Sequence, residues 1–244
     1  MANHGRNLRI IIDGIKGDDF LNSVDTNTSI DTAETTVFNS SGRKSFIPGN
    51  VDATLSAGGL FQGASSESDQ FLNSIIASTE QKVITWFPNK DTLGNFGYGD
   101  LIDLTSYGLN SPVDGVISVT LDSQASKSRS RIESLRALST SNTTGSLAAT
   151  TISDTADDNT SGTTSGGIAW FQRVDTSTGG MQPFLIHSNN NSTFDTLAAF
   201  TTGSTRGGQR VVTAATVKRY VKGTAVLTGS STLEFKYQFS FIRN

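Results

Sequence analysis

Residues 233–241 constrain the fold more than any other stretch, because apolar and polar residues alternate there without interruption. A period of two residues is typical of a β-strand with one face in a core and the other in solvent. The run therefore predicts a half-buried antiparallel strand of a β-sandwich. The expected buried face is Leu233, Phe235, Tyr237, Phe239 and Phe241, and the expected exposed face is Glu234, Lys236, Gln238 and Ser240.

Shorter strand-like runs recur along the whole chain and predict an all-β fold. They cover residues 51–57, 82–87 and 116–122 in the first half and 168–174, 184–187, 197–200, 210–213 and 217–222 in the second. The 24 glycines and the low charged fraction of 17% are typical of short strands joined by polar turns. Between these runs, Phe71, Leu72, Ile75 and Ile76 have helical spacing, which predicts one short flanking helix over residues 68–79.

Two changes in composition suggest how the chain is organised. Residues 139–165 are rich in Ser, Thr and Gly, which predicts a linker or long surface loop between a domain at 1–138 and a C-terminal β-sandwich at 166–244. Residues 15–49 are long and polar with no clear period, which predicts an extended loop in the first domain. The first 125 residues are acidic, whereas the remainder is basic.

Catalytic and metal chemistry is poorly supported by the sequence. There is no cysteine, and the two histidines, His4 and His187, lie in a terminal segment and a strand-like run. We expect no enzyme activity, no cofactor and no metal site, although Asp154, Asp157 and Asp158 leave a hard cation open. Trp86 and Trp170 are interpreted as core anchors rather than as a sugar or base platform.

The stretch 42–61, GRKSFIPGNVDATLSAGGLF, resembles a phosphate-binding loop only at first sight. A phosphate loop requires Gly-Lys-Ser/Thr at the start of a helix, whereas Gly42-Arg43-Lys44-Ser45 leads into Pro48-Gly49 and then a strand. We interpret it as a surface loop, a turn and a strand that ends at Gly58-Gly59.

The order of these features resembles the major tail tube proteins of long, non-contractile-tailed (siphovirus-type) phages. The residues that carry the resemblance are Asp19-Phe20-Leu21-Asn22-Ser23-Val24-Asp25, Thr35-Thr36-Val37-Phe38, residues 42–49, Asp52-Ala53-Thr54-Leu55-Ser56 and Gly59-Leu60-Phe61. It covers roughly residues 5–125. The resemblance implies a β-sandwich with one helix, and hexameric (six-domain) rings that stack helically into a hollow tube through which double-stranded DNA is ejected.

Further partners and the location follow from the same resemblance. The partners would be copies of this chain and the tape measure, tail terminator and distal tail proteins. The protein would lie in the virion tail after assembly in the host cytoplasm. The absence of a signal-like segment or an apolar span agrees with a soluble chain that does not contact membrane. The C-terminal domain is expected to decorate the outer tube surface.

Two sets of residues are candidates for function in such a tube. The polar faces of the strands at 51–57 and 116–122 are expected to face the lumen, where acidic groups repel DNA phosphates; these residues are Asp52, Thr54, Ser56, Ser118, Thr120 and Asp122. Val51, Leu55, Ile117, Val119 and Leu121 would pack inside. The inter-ring or inter-subunit loop is expected to use Val37, Phe38, Arg43, Lys44, Phe46 and Ile47.

Two other interpretations remain open at the level of sequence. The chain could be a two-domain carbohydrate-binding or adhesion module, which would be a monomer retained on a glycan resin. It could also be a trimeric tube protein with two tube-like domains per chain, although no internal repeat is visible.

Overall fold

The computed structural model describes residues 7–35, 44–63, 68–76, 78–126, 129–143, 147–153, 155–158, 161–175, 179–229 and 233–244. These residues form one helix, α1 (Ser68–Ile76), and sixteen strands. The strands are β1 (Arg9–Ile12), β2 (Ile15–Lys16), β3 (Leu21–Glu34), β4 (Phe46–Leu60), β5 (Lys82–Phe87), β6 (Phe96–Asn110), β7 (Ser118–Ala125), β8 (Ser130–Thr143), β9 (Leu147–Ser153), β10 (Asp157–Asp158), β11 (Gly167–Arg173), β12 (Gly180–Ser188), β13 (Asp195–Ala199), β14 (Gly207–Thr213), β15 (Tyr220–Gly229) and β16 (Leu233–Arg243).

The prediction of an all-β fold with one short flanking helix is confirmed. The strand pairs whose registers are resolved are antiparallel, as expected for a chain with many polar turns. Asp13 and Gly14 form the tightest of these turns, between β1 and β2, and both have positive φ. No helix within the described residues is long and apolar enough to cross a membrane.

The chain divides into two compact units, which differ from the predicted domains. Unit 1 contains Met1–Asp19, Lys82–Gly99 and Ser130–Asn244, and unit 2 contains Phe20–Gln81 and Asp100–Arg129. The physical reason lies in strand pairing, because β8 pairs with β16 and β1 pairs with β5. The predicted first domain therefore differs from unit 2 at residues 1–19, 82–99 and 130–138. These residues belong to unit 1, together with the C-terminal segment.

Unit 1 contains a β-sandwich. One sheet has the order β14-β11-β16-β8-β6-β5-β1-β2, and the other has the order β10-β15-β12-β13 with β9 also paired to β15. An aromatic cluster lies in the core, where the rings of Phe171 and Phe239 are 5.1 Å apart and Tyr237 packs edge-on against Phe239. Gly223 leaves room for this cluster, because a Cβ there would lie 2.2 Å from the Phe239 ring.

Strand β16 is buried on both faces in its second half, which corrects the expectation of a half-buried strand. Phe235, Tyr237, Phe239 and Phe241 are buried as predicted, but Gln238 and Ser240 are also only 1% exposed. Thr85 donates a hydrogen bond to Gln238 Oε1 (3.0 Å), and Gln238 Nε2 donates to Asp91 Oδ2 (2.8 Å). Gln238 is tolerated on this face because both ends of its amide are hydrogen-bonded.

Unit 2 is built on a sheet with the order β3-β4-β7-β6, to which β6 contributes residues 100–110. One face of the sheet is apolar and buried, with Leu55, Val119 and Leu121 at its centre. Helix α1 attaches to this face, since Tyr107, opposite Leu121 in the register, donates to Asp69 Oδ1 (2.7 Å). Burial and the Asp69 carboxylate raise the pKa of Tyr107.

Two predicted loops contain strands. Residues 15–49, expected to be an extended loop, include β2, β3 and the start of β4, because β3 and β4 pair as a long hairpin. Residues 139–165, expected to be a linker, include the end of β8, β9 and β10, and both β9 and β10 pair with β15. Backbone pairing orders segments whose side chains alone give no apolar period.

Candidate assembly surface

The six predicted lumen residues lie on one face of unit 2. In the register of β4 with β7, Ser56 lies opposite Asp122 and Thr54 lies opposite Gln124. Because partners directly opposite in an antiparallel pair point to the same side, the two polar rows form one surface. Asp52 continues the β4 row, and Ser118 and Thr120 continue the β7 row.

The predicted packing of these two strands is correct in part. Leu55, Val119 and Leu121 are buried as expected, but Val51 is 50% exposed and Ile117 is 38% exposed. Val51 lies where the β3–β4 hairpin extends beyond the buried sheet, and Ile117 precedes the first residue of β7.

The polar face extends over two more strands, which sequence reasoning missed. Residues on β3 and β6 stand opposite the two predicted rows: Ser23, Asp25, Asn27 and Ser29 on β3, and Asp103, Ser106 and Asn110 on β6. Beyond Val24, strand β3 has only two apolar residues, Ile30 and Ala33, so no alternation reveals it. A bulge between Leu104 and Ser106 shifts the inward–outward alternation of β6 by one residue. The polar row on β6 is therefore not visible in the sequence pattern either.

Asp122 lies at the centre of this face and is held as an anion. Ser56 Oγ donates to Asp122 Oδ1 (2.6 Å), and Ser106 Oγ donates to Asp122 Oδ2 (2.7 Å). These two hydrogen bonds lower the pKa of the Asp122 carboxyl, and the bond from Ser56 has the larger effect. Gln124 also donates to Asp52, so the polar rows are joined across the strands.

The polar face carries no Lys or Arg among the described residues. Unit 2 as a whole has eleven Asp and Glu against four Lys and Arg. Of these basic residues, Arg129 does not lie on the polar face. Its guanidinium donates to Asp100 Oδ2 (2.9 Å) and to the Thr54 carbonyl (3.1 Å). Burial raises the pKa of Asp100, although the Arg129 bond opposes that shift. The charged groups of the described face are therefore all acidic, and its other polar groups are hydroxyls and amides.

The β3–β4 hairpin extends beyond the buried sheet as an arm, which we define as residues 25–34 and 46–52. Every residue of the arm is exposed. Four large apolar side chains lie on it, Ile30, Phe46, Ile47 and Val51, each at least 50% exposed. An isolated two-stranded hairpin of this kind is marginally stable in water. Ile30 lies opposite Val51, but the four apolar side chains remain exposed.

Of the predicted inter-ring residues that the structure describes, Phe46 and Ile47 belong to this arm and Lys44 lies just outside it. Phe46 and Ile47 begin β4, and Lys44 Nζ lies 3.1 Å from Glu34 Oε2 across the arm. Val37, Phe38 and Arg43 lie outside the described residues.

A second exposed apolar surface lies at the other end of β4. We call it the end patch and define it as Leu60, Leu109, Val113, Val116 and Ile117, which are 38–100% exposed. Its members lie at the same end of the sheet, because Leu60 and Asn110 both lie opposite Ser118 and Phe61 N donates to the Ile117 carbonyl. Val113 and Val116 belong to the segment that joins β6 to β7 at this end. Val51 of the arm and Leu60 of the end patch are nine residues apart along β4, which is roughly 30 Å.

The other candidate sites have structural explanations. Trp170 is 1% exposed, in agreement with its interpretation as a core anchor, and Trp86 stacks on Tyr98 at 4.6 Å. Asp158 forms two hydrogen bonds with Arg219 (2.6 and 2.7 Å). Asp154 lies outside the described residues, and the described ones contain no cluster of three metal-ligating side chains.

No protein-family model matches the chain, and no curated protein sequence matches it either. Among solved structures, the chain is similar to a chain of the virion of a native gene transfer agent particle, with 18% identity and a TM-score of 0.45, over 53% of this chain and 98% of that one. It is also similar to the SPP1 tail tube, with 10% identity and a TM-score of 0.41, over 53% and 78%. A third is the SPP1 Dit protein, with 15% identity and a TM-score of 0.36, over 93% and 99%.

Proposed function

We propose that this chain is a non-enzymatic structural protein of a phage tail, which polymerises into stacked hexameric rings that form a hollow tube for DNA ejection. The observation that carries the proposal is the arm, whose 17 residues are exposed on both faces. A chain gains little by ordering such an arm unless another molecule covers it. The sequence resemblance to siphovirus-type tail tube proteins over residues 5–125 supports another copy as that molecule.

Ring closure would use the edge of the unit 2 sheet. Among the described strands β3 pairs with β4 alone, so the outer edge of β3 retains unpaired N–H and C=O groups over 14 residues. Such an edge is a template for pairing with a strand of another chain. A ring in which each sheet continues into the next removes all of these edges, as closure does in a β-barrel.

Stacking would use the two apolar surfaces at opposite ends of β4. Because the arm and the end patch are different surfaces, a contact between them is heterologous and leaves one of each free after every addition. A contact of this type propagates along an axis instead of closing a dimer. The arm of one ring would therefore cover the end patch of the next ring.

The polar face is proposed to line the channel. DNA binds proteins mainly through phosphate contacts with Lys and Arg, and this face offers carboxylates and hydroxyls instead. Unit 1 carries 15 Lys and Arg against 11 Asp and Glu, so it would retain DNA if it lined the channel. We place it on the outer tube surface, and the tape measure, tail terminator and distal tail proteins are the proposed partners within the virion.

The arm is tested by the substitution Ile47→Lys. Ile47 is 58% exposed, so the monomer should keep its fold and its stability, but a lysine cannot be buried in the contact between rings. We expect the protein concentration needed for filaments, measured by sedimentation and negative-stain microscopy, to rise at least about tenfold.

The matched control is Asn50→Lys, which adds the same charge to an exposed polar position of the same strand. It should form filaments at nearly the wild-type concentration. If Ile47→Lys polymerises as readily as this control, the arm does not make the stacking contact.

A further inference from the structure

Unit 1 contains a cavity of about 210 Å³ that the proposed tube does not use. Its walls come from strands β6, β8, β15 and β16. The lining residues are Phe96, Arg131, Glu133, Leu135, Val221, Phe241, Ile242 and Arg243. Pockets for drug-sized ligands measure roughly 300–1,000 Å³, so this cavity is suited to a ligand of about one ring.

The mouth of the cavity presents an unpaired cation on an aromatic ring. The guanidinium of Arg131 lies 4.1 Å from the centre of the Phe96 ring, and Phe96 is 52% exposed. Arg131 has no carboxylate partner among the described residues. Phe96 and Arg131 are neighbours because β6 and β8 pair here, with Phe96 opposite Glu133. A planar guanidinium in this position is suited to a carboxylate ligand.

The inner wall presents both hydrogen-bond donors and acceptors. Arg243 donates to the carbonyls of Lys218 (2.8 Å) and Arg219 (2.7 Å), but its buried Nε–H has no partner. Glu133 supplies carboxyl oxygens to this wall, and these can accept hydrogen bonds. Arg131 is therefore the cation at the mouth of the cavity that is free to pair with a ligand, whereas Arg243 is held by two backbone carbonyls.

We propose that this cavity binds one acidic pyranose unit, a hexuronic acid residue of an anionic polysaccharide. Its carboxylate would pair with Arg131, and its apolar C–H face would contact Leu135, Phe241 and Ile242. Its hydroxyls would donate hydrogen bonds to the carboxyl oxygens of Glu133. The net positive charge of unit 1 attracts an anionic polymer to this surface.

The test is saturation-transfer NMR of the full chain with glucuronate, followed by titration. We expect binding to a single site with a dissociation constant in the millimolar range, as is usual for so small a ligand. Glucose, which lacks the carboxylate, should bind at least about tenfold more weakly. Cyclohexanecarboxylate, which lacks the hydroxyls, should also bind more weakly, and equal binding of it would overturn the assignment to a sugar.

Two substitutions locate the site. Arg131→Ala should weaken glucuronate binding about tenfold or more, because it removes a charge-assisted contact at an exposed position. Lys222→Ala is the matched control, since Lys222 also stacks on an aromatic ring, Phe194 at 4.0 Å, but lies outside the cavity. An equal effect of both, or no transfer to glucuronate at concentrations on the order of 10 mM, would refute the proposal. Filament formation should be unchanged in both variants, so this test is independent of the proposed tube.

Discussion

At the scale of single residues, the sequence identifies chemical types but not hydrogen-bond partners. Alternation placed Asp52, Ser56 and Asp122 on the polar faces of two strands, the resemblance implied a common lumen surface for them, and the register brings them together. Ser106 was missed, although it holds the second oxygen of Asp122, because a bulge displaces it from the simple alternation. Gln238 was predicted to be exposed, since a polar residue in a strand reveals nothing about a partner such as Asp91.

His187 gives a prediction at this scale. The backbone N–H of Lys218 donates to His187 Nδ1 (3.1 Å), which keeps that nitrogen unprotonated. Burial, and then the charge of Lys218, lowers the pKa of His187 below its ordinary value of 6.5. The folded state therefore favours the neutral form of His187. The stabilisation that this residue contributes is complete above pH 6.5 and is lost as the pH falls through the lowered pKa.

The measurement is urea unfolding at pH 7.5 and pH 5.5. The wild type should lose stability at the lower pH, whereas His187→Asn, which keeps an acceptor oxygen near the position of Nδ1 and does not titrate, should lose less. An identical pH dependence in the two proteins would show that His187 is not the titrating group.

At the scale of elements, strand existence was predictable, but strand partners and lengths were not. The alternation at 233–241 identified β16, whereas β3 and β9 had no apolar period and were interpreted as a loop and a linker. Their order comes from backbone pairing with β4 and β15, which a local pattern cannot show. The helix was predictable because four apolar residues at helical spacing need no distant partner.

The second face of β16 gives a prediction about an element. Gln238→Leu should lower the free energy of unfolding by about 1–3 kcal/mol, because Asp91 and Thr85 lose a buried partner. Lys236→Gln, on the exposed part of the same strand, should change it by less than about 0.5 kcal/mol. Denaturant unfolding of both variants measures this difference, and a neutral Gln238→Leu would mean that the second face of β16 does not depend on this bond.

At the scale of the whole molecule, charge follows the two units rather than the two halves of the chain. The sequence showed an acidic first half and a basic second half, but the acidic excess is concentrated in unit 2. Local composition cannot reveal this division, because unit 1 is assembled from three separate segments. The proposed channel therefore belongs to the more acidic part of the molecule.

Reversing that charge tests why the face is acidic. Tubes of the double variant Asp52→Lys, Asp122→Lys should retain double-stranded DNA at low salt and release it as salt rises, since lysines displace counterions from phosphate. Wild-type tubes should not retain DNA under the same conditions. Glu80→Lys with Glu234→Lys is the charge control, because both residues are exposed and lie off the polar face, the arm and the end patch. Equal DNA retention by both double variants would indicate that net charge, and not the channel wall, governs binding.

The central claim is that β3, β4, β7 and β6 form the wall of a channel. Helical reconstruction by electron cryomicroscopy of filaments grown from the purified chain tests it most directly. We predict a hollow tube of stacked rings in which the six residues Asp52, Thr54, Ser56, Ser118, Thr120 and Asp122 face the axis. A tube with these side chains on its outer wall, or with basic side chains along the channel, would contradict the account.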